Sequence, residues 1–163
     1  MRVVQRVIKA AAAARMELAA VGEAAARGGD VAALASHQFG NYAVQVALRH
    51  CAPAQRARLI DALLPHTLAL STSKHGSNVA EQLLQLASDA QLSPVCETIF
   101  GAAAAGRNGA LRQLMSNEFG NYVLQTLLRR LEPAARTNAL RLVEAHVTPT
   151  NYGRTILSSA GHA

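Results

Sequence analysis

Two kinds of apolar pattern alternate along this chain, and both have the period of a helix. In the first kind, residues 54–64 (AQRARLIDALL) and 132–147 (EPAARTNALRLVEAHV) place leucines and their neighbours at i, i+3, i+4. Pro53 and Pro133 stand at first-turn positions of these segments, where a missing N–H costs nothing. In the second kind, a glycine opens the run: NYAVQVALRHC after Gly40, SNVAEQLLQLA after Gly76 and NYVLQTLLRRL after Gly120. The pattern therefore predicts helices joined by short linkers and no sheet.

The glycine-headed segments align without gaps as HQFGNYAVQVAL, SKHGSNVAEQLL and NEFGNYVLQTLL, beginning at His37, Ser73 and Asn117. Their glycines lie 36 and 44 residues apart. A degraded copy, TNYGRTILSS from Thr150, puts Gly153 another 33 residues on. At the start of the chain MRVVQRVIKA brings Gln5 into line with Gln45, Glu81 and Gln125, 40 residues before the first of them. Periods of this length with two or three helices per unit indicate an α-solenoid, in which one unit cannot bury its apolar face alone and neighbours must stack. Residues 101–110 (GAAAAGRNGA) account for the longest spacing, and their glycines predict a loop or a bent helix.

Polar residues recur inside the glycine-headed helices at one spacing. Asn41 with Gln45, Ser77 with Glu81, and Asn121 with Gln125 are each i and i+4, so each pair shares a helix face. Valines and leucines take the core side, so the pairs should project from one common surface. Tyr42, Asn78 and Tyr122 follow the first member of each pair. Two hydrogen-bonding side chains per step can read a base edge, and a flat group beside them can stack on a base. A single GNYxxQ is most simply a helix start with a capping Asn and a packed Tyr; three copies in register favour base reading.

These motifs, GNYAVQ, GSNVAE and GNYVLQ, resemble the reading helices of Pumilio (PUF) repeats, and in this order they resemble the last three of the usual eight. MRVVQ resembles the end of the fifth repeat's motif, and NYGRTIL the C-terminal half-repeat. The resemblance covers nearly the whole chain. It implies an all-α, right-handed α-solenoid, an armadillo-like superhelix. Residues 1–163 would form a single partial array of about three full repeats with partial repeats at both ends. Reading of one base per repeat by two or three side chains is the behaviour known for PUF proteins.

Carried over by position, the resemblance makes Asn41 with Gln45 a uracil reader stacked by Tyr42, and Asn121 with Gln125 a second one stacked by Tyr122. Ser77 with Glu81, beside Asn78, becomes a guanine reader. A carboxylate accepts from both donors on the Watson–Crick edge of guanine, whereas uracil offers one. Family repeats run antiparallel to RNA, so the implied element is 5′-UGU-3′. Gln5, with Arg2 stacking through its guanidinium plane, would add a following adenine. Met1 departs from the small polar or thiol residue of the family at that position, which leaves the base read there open.

Composition adds charge and compartment. Lys and Arg outnumber Asp and Glu 16 to 10, a formal net charge of +6, which suits a polyanionic partner. Alanine-rich runs and the lack of tryptophan favour packed helices. The two cysteines, Cys51 and Cys96, form no CxxC and sit in apolar helical context, which points to buried packing and a reducing compartment. No apolar run approaches the roughly 18 residues that span a bilayer. Residues 1–16 are basic, free of acid and alanine-rich, a composition shared with organellar transit peptides; the repeat register claims the same residues.

The six histidines have no metal-ligand spacing, and there is no nucleophile–base constellation or phosphate loop. His37 and His75, which flank the motifs, read as backbone-bonding or interface residues. The expectation is a non-catalytic, monomeric, cytoplasmic protein without cofactor or metal. It would bind single-stranded messenger RNA in 3′ untranslated regions and repress translation or promote decay with protein co-repressors, away from any membrane. The alternatives are a nucleolar Pumilio-like factor in ribosome biogenesis, which would usually carry degenerate motifs, and a protein-binding α-solenoid, which has no need of repeated Asn/Gln and Ser/Glu pairs.

Overall fold

A computed structural model describes residues 30–160, and every regular element among them is helical. The first repeat contains α1 (Val31–Ser36), α2 (Gly40–His50) and α3 (Pro53–Leu63). After a 3₁₀ turn over Leu64–His66 come α4 (Thr67–Ser71), α5 (Gly76–Leu86) and α6 (Asp89–Cys96). A π-helical turn, Glu97–Gly101, carries α6 into the short α7 (Ala102–Ala104). The third repeat is α8 (Gly109–Ser116), α9 (Gly120–Arg130) and α10 (Pro133–Ala145), and α11 (Gly153–Ala160) ends the array. Arg2 and Gln5, and the composition of residues 1–16, lie outside the described residues.

The glycine-headed helices form the central row. α2 packs on α5, α5 on α9, and α9 on α11, in chain order. Their apolar faces close the core: Val44, Ala47 and Leu48 from α2, Val79, Ala80, Leu83 and Leu84 from α5, Val123, Leu124, Leu127 and Leu128 from α9. Each such Leu or Val contributes about 1.5–3 kcal/mol by leaving water. The short helices α1, α4 and α8 pack against the central helix of their own repeat and against one another.

Helix starts follow local chemistry. Pro53 and Pro133 open α3 and α10 as expected. α3 runs to Leu63; Leu64 keeps helical backbone angles and starts the 3₁₀ turn, because Pro65 has no N–H to continue the α-helical ladder. Ser88 and Gln91 form a reciprocal capping box on α6, with the Ser88 hydroxyl accepting from the Gln91 N–H and the Gln91 side chain accepting from the Ser88 N–H. Residues 101–110 end one helix at Ala104, turn, and open the next at Gly109. Gly106 has φ of 81°, its N–H donates to Ala103 O, and the Arg107 N–H donates to Ala102 O. Those two bonds make a Schellman stop, which needs a residue tolerant of the left-handed region.

Cys51 is buried, but Cys96 is only half-buried. Cys96 lines a groove between α6 and α10 with Phe100, Ala139 and Leu142, packed against the core but partly open, so the packing role expected from the sequence holds fully for Cys51 alone. Burial pushes both thiols above their usual range, with Arg56 partly opposing the shift at Cys51.

Arginines tie helix ends together. Arg56 Nη2 donates to Arg49 O at 3.0 Å and Cys51 O at 3.3 Å, closing the end of α2. Arg130 ties one repeat to the next. Its Nη1 donates to Leu84 O (2.8 Å) and Gln85 O (2.6 Å), and its Nη2 to Ala87 O (3.0 Å), so three carbonyls at the end of α5 share one cation. The Asp89 carboxylate at 3.4 Å is exposed and adds little. Arg130→Met keeps the apolar stem and removes the donors. It is expected to lower stability by about 2 kcal/mol, read as a shift in the urea midpoint; an unchanged midpoint would rule out the clasp.

Candidate nucleic-acid interface

α2, α5 and α9 each begin with a side-chain acceptor three residues before the glycine. His37 Nδ1 accepts from the N–H groups of Phe39 (3.3 Å) and Gly40 (3.2 Å). Asn117 Oδ1 accepts from Phe119 (2.9 Å) and Gly120 (2.8 Å), and Ser73 Oγ accepts from Gly76 (2.9 Å). These side chains satisfy the orphan donors at the helix start. His37 is thus a backbone-bonding residue, as expected, and it must carry its proton on Nε2 to accept at Nδ1. The glycines themselves allow the close turn from the preceding helix: a Cβ on Gly40 would lie 2.6 Å from Leu34 O, and one on Gly76 2.9 Å from Leu70 O.

The Asn of the first motif is not a helix cap. Asn41 Nδ2 donates to His37 O (2.9 Å) and Gln38 O (3.0 Å), and its Oδ1 accepts from Gln45 Nε2 at 3.0 Å. Asn121 repeats this, donating to Asn117 O (3.1 Å) and Glu118 O (2.9 Å) and accepting from Gln125 Nε2 at 3.1 Å. The i, i+4 pairs therefore share a face, and within each the asparagine locks the glutamine amide. They do not project freely: Asn41, Asn121, Ser77 and Gln125 are buried, and Gln45 and Glu81 are half-buried. The glutamines keep one donor and one acceptor to offer, because both Asn donors are already committed.

The residues beside the pairs behave differently. Tyr42 and Tyr122 are 66% and 57% exposed, and Asn78 is exposed too. A tyrosine packed for stability would not sit this way, so the simple helix-start reading fails at both positions. The stacked helices thus carry recessed polar pairs with flat or amide groups standing proud beside them. Gln45, Asn78 and Glu81 line one cleft between α2 and α5 together with Arg49, Gln82, Gln85 and Leu86. Among the described residues no cluster of three or more His, Cys, Asp or Glu could hold a metal ion.

Three residues of this surface escaped the sequence reading. Gln82 Nε2 donates to Gln45 O at 2.8 Å, Thr126 Oγ1 to Glu81 Oε2 at 3.1 Å, and Arg130 clasps the end of α5. Gln82 and Thr126 each follow the second member of a polar pair, and each is buried within an otherwise apolar row. That polar residue at a core position was the signal available in the sequence; the partner across the repeat boundary was not.

Comparison with known proteins bears directly on this arrangement. The family model for the Pumilio-family RNA binding repeat matches residues 30–64, 66–100 and 111–138, three successive units that follow the three-helix repeats, the third ending within α10. The chain belongs to the Pumilio family. Among curated Pumilio relatives, Pumilio homolog 12 of Arabidopsis thaliana is 27% identical over 129 residues, covering 77% of this chain and 21% of the relative. Pumilio homology domain family member 4 of Saccharomyces cerevisiae is 32% identical over 94 residues, covering 55% of this chain and 10% of its own length. Among solved structures, PUF-8 in complex with PBE-RNA superposes with a TM-score of 0.64 at 25% identity, over 87% of this chain and 41% of that one. The Puf4 RNA-binding domain, bound to a recognition sequence from the HO endonuclease 3′ UTR, gives 0.63 at 22% identity, over 81% and 40%. This Pumilio chain therefore spans about a fifth or less of these curated relatives and less than half of the solved domains. The α-solenoid is the Pumilio fold.

Proposed function

We propose that the chain binds single-stranded RNA and selects its sequence, one base per central helix. The observation that carries this reading is the row of α2, α5 and α9, each presenting a recessed i, i+4 polar pair beside an exposed stacking residue. Gln45 and Gln125 each offer an acceptor for uracil N3–H and a donor for a uracil carbonyl. Glu81 offers two acceptor oxygens for the two donors of guanine. Tyr42 and Tyr122 stack on the bases, a contact worth about 1–3 kcal/mol each, and Asn78 lays its amide plane beside the guanine. With RNA antiparallel to the repeats, α9, α5 and α2 take 5′-UGU-3′ in that order. Gln5 and Arg2 would take a following base.

Two of the superposed domains are described with target RNAs, and one of those targets is a 3′ UTR sequence. By extension, messenger RNA 3′ untranslated regions are the proposed targets, with translational repression or decay through recruited protein co-repressors as the outcome. The proposed setting is the cytoplasm, and the proposed state is a monomer.

Labelled RNAs containing UGUA, UUUA and UCUA, titrated at one stated salt concentration and followed by anisotropy, test the reading. UGUA is expected to bind at least about tenfold more tightly than either competitor, since a good two-bond base contact discriminates by about 1–3 kcal/mol. Equal binding to all three would reduce the protein to a basic surface without readout. No binding by folded protein would favour a protein-binding solenoid.

A further inference from the structure

The guanine reader is held by the next repeat. Glu81 Oε2 accepts from Thr126 Oγ1 at 3.1 Å, and Thr126 Oγ1 accepts from Arg129 Nη2 at 3.0 Å. Thr126 is 2% exposed, so this hydroxyl is held inside the α5–α9 contact. A threonine hydroxyl has one proton and two lone pairs, and a guanidinium can only donate. With Arg129 on a lone pair, the hydroxyl is left to turn its single proton to the carboxylate.

The uracil readers are held differently. Gln45 and Gln125 are locked by Asn41 and Asn121 of their own helices. At the α2–α5 boundary, the residue in the place of Thr126 is Gln82, which donates to the main-chain oxygen of Gln45 and leaves the reading amide alone. Ser77 is too short to lock Glu81 as an asparagine locks a glutamine, and its Oγ lies 3.4 Å from Lys74 O. The hydroxyl from α9 takes over that duty.

We infer that Thr126, oriented by Arg129, is a positioning residue for guanine selection by Glu81; the inference rests on the base-reading function proposed above. The terminal torsion of a glutamate is broad, so an unheld carboxylate samples many planes. The Thr126 bond occupies one of roughly four acceptor sites and fixes the plane of the rest. Guanine N1–H and N2–H then meet two aligned acceptors. Adenine brings an acceptor, N1, against a carboxylate oxygen that cannot turn aside. Holding the plane therefore raises the preference for guanine over adenine more than it raises affinity as such.

The test compares Thr126→Val, Thr126→Ser and Arg129→Gln with the parent chain, using RNAs with UGU, UAU, CGU and UGC cores. Thr126→Val keeps the shape and loses the hydroxyl. Its preference for UGU over UAU is expected to fall about tenfold, the worth of one hydrogen bond to a charged group. Discrimination at the flanking uracils should stay as in the parent. Thr126→Ser should restore the guanine preference, and Arg129→Gln should lose part of it. An unchanged UGU-to-UAU ratio in folded Thr126→Val overturns the inference, as does an equal loss at all three positions. Should Thr126→Val fail to fold, an unchanged ratio in Arg129→Gln overturns it. A parent chain without preference for UGU sinks the base-reading function instead, so the two failures are distinguishable.

Discussion

The chain carrying Ser77→Asn together with Glu81→Gln is expected to prefer a UUU core to UGU. The substitutions turn the α5 pair into the type found on α2 and α9. In the parent, Glu81 presents two acceptors to the two donors of guanine. In the variant, one acceptor becomes an amide donor and meets a guanine N–H head-on, while uracil finds one donor and one acceptor facing its own complementary pair. Each two-bond contact discriminates by about 1–3 kcal/mol. Losing one preference and gaining the opposite one should therefore move the UGU-to-UUU ratio by about a hundredfold or more.

The local backbone is ready for the change. The Ser77 N–H bonds Ser73 O at 3.0 Å, as the Asn41 N–H bonds His37 O at 3.1 Å, so the carbonyls that receive the asparagine amide elsewhere are in place. Anisotropy titrations of parent and variant against both RNAs check the result. A variant that still prefers guanine would refute the assignment of these two residues.

Gly76→Val is the second large effect expected, and it acts on stability. The added Cβ alone would stand 2.9 Å from Leu70 O, 3.0 Å from Leu70 Cα and 2.5 Å from Ser73 Oγ, the atom that caps α5. Backbone cannot yield as a flexible side chain can. The turn must open, separating α4 from α5, and the cap bond is lost. Overpacking costs about 1–3 kcal/mol and loss of a cap about 1 kcal/mol, so about 3 kcal/mol is expected. In an array where each repeat is stabilised by its neighbours, that loss also weakens the contacts of α5 with α2 and α9. Gly109→Ala is the matched control: a Cβ there meets nothing within 4 Å, and the thermal midpoint should hold or rise slightly. Equal midpoints for the two variants would mean that Gly76 is not needed for close approach.

Much of the site was legible because its determinants are local. Gly40, Gly76 and Gly120 head their helices in the alignment and in the structure alike. The i, i+4 spacing that pairs Asn41 with Gln45 is a property of any helix, and the bond between them follows from it. Less legible was the depth of the pairs. That Asn41 is almost fully buried while Tyr42 next to it is largely exposed depends on where α1 and α5 lie against α2, and no periodicity states it. Cys96 shows the same limit, since apolar surroundings in sequence did not make it a core residue.

By itself, then, the sequence determined the glycine-headed and proline-headed helices, their starts, the repeat period and the side chains available to each reading face. Hydrogen bonds reaching three or four residues, proline and glycine geometry, and a 3.6-residue apolar period are enough for that. Only the tertiary structure decided how one repeat completes the next. Thr126 reaches Glu81 across 45 positions, Gln82 reaches Gln45 across 37, and Arg130 closes the end of α5. Those bonds exist because α2, α5 and α9 stack side by side, in an axial register set by the leucines and valines between them. A single helix holds no information about which turn of its neighbour it will face.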